Sequence, residues 1–142
     1  PTNSMVVASL IRRLIEKKNP FIVWGDGSAI RDFVYSEDVA NAMIKILQKK
    51  IKFPLNIGSG KGTSIKNLVK NILHTKYIIK KPKVVFDRSK PSGDKKRVLD
   101  MRLAKKNGIS CDTTLEIGLD KTIDWYLKSS KKITKKKYNF FR

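Results

Sequence analysis

The sequence predicts an α/β chain, and three observations carry that reading. Short β-rich runs, such as Phe21 to Trp24 and Lys83 to Phe86, alternate with segments of helical apolar period. Glycine and proline turns punctuate the short runs. The helical segments carry cap residues where a helix should begin or stop.

Val6, Val7, Leu10, Ile11, Leu14 and Ile15 recur at helical spacing, so about Ser4 to Lys18 reads as an amphipathic helix, ended by Asn19-Pro20. Phe21 to Trp24 is a short strand closed by the turn Gly25-Asp26-Gly27. Asp32 to Tyr35 reads as a second strand. Ser36 suits the cap of the next helix, with Glu37 and Asp38 at its positive end. That helix is expected to bury Val39, Ala40, Met43, Ile46 and Leu47. A strand follows over Phe53 to Ile57 and runs into Gly58-Ser59-Gly60-Lys61-Gly62. Thr63 or Ser64 starts a helix with Ile65, Leu68, Val69 and Ile72 inward. After the strand at Lys83 to Phe86, Asp100 suits the cap of a short helix that stops at Asn107-Gly108. Thr113 and Glu116 have capping-box spacing for a last helix facing inward through Leu115, Leu119, Ile123, Tyr126 and Leu127. The organised region is therefore 1–128, and 129–142 is a Lys-rich tail.

The chain has 142 residues, so one domain or a piece of a larger one is expected. No apolar run approaches a membrane span, no signal peptide is visible, and the lack of an initiator Met suggests that the true start lies upstream. A single cysteine, Cys111, gives neither a disulfide framework nor a metal cluster, which makes a cytoplasmic setting the default and no metal site expected. The net charge of +20 invites a nucleic-acid reading. Lys greatly outnumbers Arg, however, and comes with many Ile and Asn, the trio that AT-rich codons encode. No aromatic residues interleave with the basic ones. A specific nucleic-acid role is set aside, whereas loose attachment to polyanions at low salt is expected.

The most informative stretch is Ser89 to Asp100, S-K-P-S-G-D-K-K-R-V-L-D. It is too polar for core, and it sets Lys95, Lys96 and Arg97 beside a Pro-Gly turn, where an anion can be held. Trp24 ends a strand beside a glycine turn; it reads as a half-buried core aromatic or as a flat face for a sugar or base. Arg31, seven residues on, offers a planar fork for diphosphate oxygens, or an ion pair with Asp26 or Asp32. Arg12 and Arg13 are adjacent on one helix, so at most one faces a ligand. The Gly58 to Gly62 loop fits neither G-x-x-x-x-G-K-[ST] nor G-x-G-x-x-G, and reads as a tight turn. His74 reads as an exposed helix-end residue and Cys111 as packing. No paired acid and base emerge, so no catalytic residue is assigned in this chain.

Three blocks resemble one family when taken in order: V-W-G-D-G-S-A-I-R-D-F-V-Y-S-E-D-V-A, L-N-I-G-S-G-K-G-T-S-I and V-V-F-D-R-S-K-P-S-G-D-K-K-R-V-L-D. They resemble the C-terminal part of extended short-chain dehydrogenases/reductases acting on nucleotide sugars, the NAD-dependent epimerase/dehydratase family. F-D-x-S-K-P-x-G most resembles the GDP-L-fucose synthase branch, which is a 3,5-epimerase/4-reductase using NADPH. The resemblance implies a C-terminal substrate-binding part of a Rossmann-type enzyme, with a GDP-sugar as favoured substrate and a homodimer at full length. It implies substrate contacts at Arg13, Trp24, Arg31, Ser92 and Arg97, with Arg31 at the diphosphate. It places Met5 near the cofactor. NADP and the catalytic Ser and Tyr-x-x-x-Lys set would belong to an N-terminal half outside this chain; Tyr77 and Lys81 match that spacing only by chance. Ser92 stands where the branch has Asp, and Met5 where it often has His. Both departures leave room for another nucleotide-sugar epimerase or dehydratase, such as a UDP-glucose 4-epimerase type. A free-standing basic module for polyanions is the reading from a different class.

Overall fold

Two parallel strands, β1 (Phe21–Trp24) and β4 (Val84–Asp87), form the first of two small sheets, with Phe21 opposite Val84 and Trp24 opposite Asp87. The computed structural model describes residues 5–133, and the remainder of the Lys-rich tail lies outside them. β1 turns Phe21 and Val23 inward and Ile22 and Trp24 outward, the alternation a half-buried strand requires. Against the inner face pack α1 (Val6–Ile15), α3 (Ile65–Leu73) and α5 (Leu115–Ile133), through Leu10, Ile11, Leu14, Leu68, Ile72, Leu119 and Ile123. α5 continues past the expected boundary at 128 as far as Ile133.

The second sheet has the order β3 (Gly62–Ser64), β2 (Ile30–Asp32), β5 (Lys96–Arg97). β3 is antiparallel to β2, and β5 is parallel to it. α2 (Ser36–Gln48) and α4 (Arg102–Lys106) enclose a separate cluster of Ala42, Met101, Ala104 and Ile109, with Ile46, Ile51, Leu55 and Ile57 against it.

Several expectations shift. β2 covers Ile30–Asp32 rather than Asp32 to Tyr35, because its pairing is drawn to the strands on either side. No strand forms over Phe53 to Ile57, where the backbone finds no neighbour to pair with. G-T-S at Gly62–Ser64 is a strand instead, on partner geometry and not on β-propensity. Ser36 lies inside α2, whose N-cap is Tyr35 with no side-chain bond. On α2 the buried residue is Ala42, while Met43 and Leu47 are 57% and 77% exposed. Ser64 caps α3 by accepting from Asn67 N at 3.1 Å. At α5, Thr114 and not Thr113 accepts from the helix, from Ile117 N at 3.4 Å, because Thr113 is held by Asp38. α4 begins after Met101, yet Asp100 does accept from Arg102 N, and Gly108 closes the helix at φ +73°.

Candidate functional site

The carboxyl ends of parallel strands are where α/β sheets gather loops and ligands. Here the turn after β1 meets the loop after β4. Asp26 accepts from the amide and hydroxyl of Ser28, and Asp87 does the same for Ser89. These bonds hold both carboxyls below their ordinary value, and both acids stay ionised. The two loops touch at Gly25 and Ser92. Gly25 sits at φ +77°, and a Cβ there would collide with the Ser92 side chain.

Trp24 is 62% exposed beside that contact, with Lys90 Nζ 6.0 Å from its ring centre. It is neither half-buried nor core; its face is open to solvent. Arg31 lies on β2 directly opposite Arg97 on β5. Arg31 Nη1 donates to Ile30 O at 2.8 Å and to Asp94 O at 2.7 Å. Its Nη2 faces Gly93, where a Cβ would stand 3.1 Å away. Among the described residues no carboxylate pairs with Arg31, so the ion pair with Asp26 or Asp32 does not form. Arg97 instead takes Asp94, Nη2 to Oδ2 at 2.5 Å, with its side chain 75% exposed. Two arginines thus stand in register on neighbouring strands, and both bond to Asp94, Arg31 through its backbone carbonyl and Arg97 through its carboxylate.

Asp32 was not singled out from sequence, yet it organises the neighbourhood. Its carboxylate accepts from Ser59 N (2.9 Å), Ser59 Oγ (2.6 Å), Gly60 N (3.0 Å) and Leu99 N (3.2 Å). Two amides of the Gly58 to Gly62 loop, those of Ser59 and Gly60, are thereby spent on a protein carboxylate, and that of Lys61 on the Ser59 hydroxyl. A cofactor phosphate would have to displace it, so this loop does not fit one. Only its adjacency to the R-D-F motif could have signalled this role. Asp94 and Gly93 were likewise read only as loop residues.

The remaining assigned residues lie apart from the pair of arginines. Arg13 donates from Nη1 to Ile22 O at 2.6 Å and sits 5.1 Å from the Phe21 ring centre. Burial, and then the neighbouring Arg12, lower its pKa. Arg12 reaches Glu16 at 3.8 Å. Met5 is 80% exposed ahead of α1. His74 is an exposed helix end, as expected. Cys111 is partly buried, and burial followed by Asp38 pushes its thiol up, away from nucleophilic character. A cavity of about 470 Å³ beside Lys61, Asn67, Lys70 and Glu116 has none of the assigned residues in its lining. The exposed Trp24 and the in-register Arg31 and Arg97 belong instead to the strand-end surface.

Residues 1–58 match the NAD dependent epimerase/dehydratase family. The chain is 33% identical to a putative GDP-L-fucose synthase 2 of Arabidopsis thaliana, across 91% of this chain and 40% of that protein. It is 31% identical to the GDP-L-fucose synthase of Escherichia coli, across 91% of this chain and 44% of that protein. Along 91% of its length the chain is thus similar to GDP-L-fucose synthases, and over residues 1–58 to the NAD dependent epimerase/dehydratase family. Among solved family structures, UDP-glucose 4-epimerase of Thermotoga maritima with UDP-glucose superposes at TM-score 0.71 and 28% identity, across 89% of this chain and 40% of that one. The Bordetella bronchiseptica enzyme WbmF with NADH gives TM-score 0.74 and 29% identity, across 92% and 39%. The chain thus spans about two fifths of the length of the family members it matches. No helix among the described residues is long and apolar enough to cross a membrane.

Proposed function

We propose that this chain is the C-terminal, nucleotide-sugar-binding part of an NADP-dependent epimerase/reductase of the GDP-L-fucose synthase type. The observation that carries the reading is the pair Arg31 and Arg97, in register on β2 and β5, beside the exposed Trp24 and the Gly25–Ser92 contact. Arg31 Nη2 lies beside Gly93, which has no side chain to cover it, and its fork takes the diphosphate. Arg97, shared with Asp94, takes the nucleotide edge more weakly. Trp24 offers a flat face, Ser92 a hydroxyl, and Arg13 supports the β1 end from behind. The dinucleotide cofactor and the proton-transfer residues belong to the part outside this chain, so the isolated chain transfers no hydride. The full-length protein works as a cytoplasmic homodimer.

A second reading, a UDP-sugar epimerase of the same family, is favoured by Ser92 standing where the fucose synthase branch has Asp. Calorimetric titration of the full-length protein with GDP-fucose, GDP, UDP-glucose and UDP separates the two. Tighter binding of the GDP compounds is expected. Tighter UDP binding would assign the second reading. Equal binding of all four, falling steeply with salt, would make the site a general polyanion surface.

A further inference from the structure

A groove lies at the other end of the first sheet, where the parallel strands β1 and β4 begin. Its volume is about 510 Å³, inside the range of about 300–1,000 Å³ that small-molecule sites occupy. The floor is apolar: Leu14 is buried, and Ile15, Tyr77, Ile78 and Pro82 are half-buried. Hydrogen bonds fix the walls. Asn19 Oδ1 accepts from Lys83 N at 3.2 Å, Phe21 N donates to Lys83 O at 2.8 Å, and Ile78 N donates to Thr75 O at 3.2 Å. The groove is therefore formed before anything enters it.

Four exposed lysines stand around this floor, Lys17 and Lys18 just past the end of α1, and Lys80 and Lys81 in the segment before β4. Among the described residues no carboxylate lines the groove, and none of the four lysines makes an ion pair. The acids closest along the chain are taken, Glu16 by Arg12 at 3.8 Å and Asp124 by Lys128 at 2.6 Å. AT-rich codons scatter lysines, but they do not recess apolar side chains beneath them. An apolar floor under a cationic rim complements a molecule with an apolar chain and an anionic head.

We propose that this groove binds a single-chain anionic amphiphile, one alkyl or acyl chain carrying a phosphate or a carboxylate. The chain lies along Leu14, Ile15, Tyr77 and Ile78, and the head meets the lysine ammonium groups, compact point charges that suit such anions. A protein partner is a poor occupant, since a handful of floor side chains falls far short of the roughly 20–30 residues a side of a stable interface. So is a flat bilayer. It reaches only what protrudes, and of the apolar side chains lining the groove Ile79 alone is more than half exposed, at 96%. A single inserted side chain holds little, given that even a myristoyl chain gives only marginal attachment. The groove is independent of the nucleotide-sugar reading, because Trp24 and the Gly25–Ser92 contact sit at the carboxyl ends of the same strands.

The test is calorimetric titration of this chain with decyl phosphate and with decanoate, each below its micelle concentration and at physiological salt. Binding should saturate at a single molecule per chain, and the tighter of the two names the head. Octyl and hexyl homologues should bind more weakly, by roughly two- to fourfold for each methylene removed. Decyltrimethylammonium and inorganic phosphate should bind about tenfold more weakly or worse. Lys80→Glu with Lys81→Glu, both at exposed positions, should cost about tenfold in affinity and leave the melting temperature unchanged. The homologue series needs no variant, so it decides the matter even where the double variant fails to fold. Failure of both amphiphiles to bind overturns the proposal. So does affinity indifferent to chain length, which marks loose adhesion to a basic surface, or equal binding of decyltrimethylammonium, which marks an apolar patch without charge selection. Displacement by GDP would move the amphiphile to the strand-end surface, and binding to anionic vesicles alone would make this end of the sheet a membrane contact; either result sinks the groove and leaves the functional reading untouched.

Discussion

Arg31 is held at one end of its fork and has Gly93 beside the other. Two carbonyls fix Nη1, so the fork is oriented before a ligand arrives. In the full-length protein Arg31→Ala should raise the Michaelis constant by about 30- to 150-fold, or roughly 2–3 kcal/mol, with turnover little changed. Arg31→Lys should recover only part, because an ammonium lacks the fork. An unchanged Michaelis constant would make Arg31 a purely structural residue. Asp100 gives a second test at this scale. Hydrogen bonds from Arg102, first its side chain and then its amide, hold the Asp100 carboxyl down from 3.8 to about 2. A depressed carboxyl contributes stability that is full above its ordinary value and lost as pH falls through the folded one. Wild type should therefore lose its advantage over Asp100→Asn between about pH 4 and pH 2, read from urea midpoints across that range. A difference independent of pH would remove Asp100 from the account of how α4 begins.

Helix ends repeat one device with different residues. α1, α2 and α4 each close with paired bonds back to the last turn: Lys17 N to Leu14 O with Lys18 N to Arg13 O, Lys50 N to Leu47 O with Ile51 N to Ile46 O, and Gly108 N to Lys105 O with Ile109 N to Ala104 O. The residue at the turn has positive φ in all three, +56° at Lys17, +54° at Lys50 and +73° at Gly108. A side chain there is strained. Lys17→Gly and Lys50→Gly should each stabilise the chain by about 0.5–1 kcal/mol, measured by urea unfolding, the relief of strain exceeding the added freedom of the unfolded chain. Destabilisation by either would show that its lysine makes a compensating contact. Gly108 was legible because glycine marks such a turn, and the two lysines were not because nothing local marks them. Strand pairing was legible in the same uneven way. Phe21 to Trp24 and Val84 to Asp87 follow from β-rich composition. β3 and β5, three and two residues long, exist through what lies beside them. Among the proposed site residues, Trp24, Ser92, Arg31 and Arg97 stand in motif blocks, which is what singled them out in the sequence. The clasp at Asp32 could not, since its four bonds reach residues far away in the chain.

Across the molecule, apolar surface is divided between two clusters that do not merge, one under β1 and β4 and one between α2 and α4. Met43, Ile44, Leu47, Phe53 and Leu103, all around the second cluster, are each at least 47% exposed. Such a surface binds hydrophobic dyes. The chain alone should enhance anilinonaphthalene sulfonate fluorescence at neutral pH and melt over a broad range, with the second cluster losing order first. A sharp single transition without dye binding would mean that the two clusters act as one core. The same bipartite arrangement explains why sequence periodicity named the helices well and α2's inner face poorly: a stripe has an inside only where something covers it.

The bonds that gather the candidate site also set a schedule. Arg31 meets Asp94 across 63 residues, and Asp32 meets Leu99 across 67. At an elongation rate of roughly 5–20 residues per second, the 67 residues separating Asp32 from Leu99 take about 3–13 s to synthesise. For that interval the nascent chain carries Asp32 without the amide of Leu99, and Arg31 without its partner strand. The site closes late in translation, when the ribosome has passed the S-K-P-S-G loop, and mistimed pairing at this edge is the exposure that a folding chaperone would have to cover.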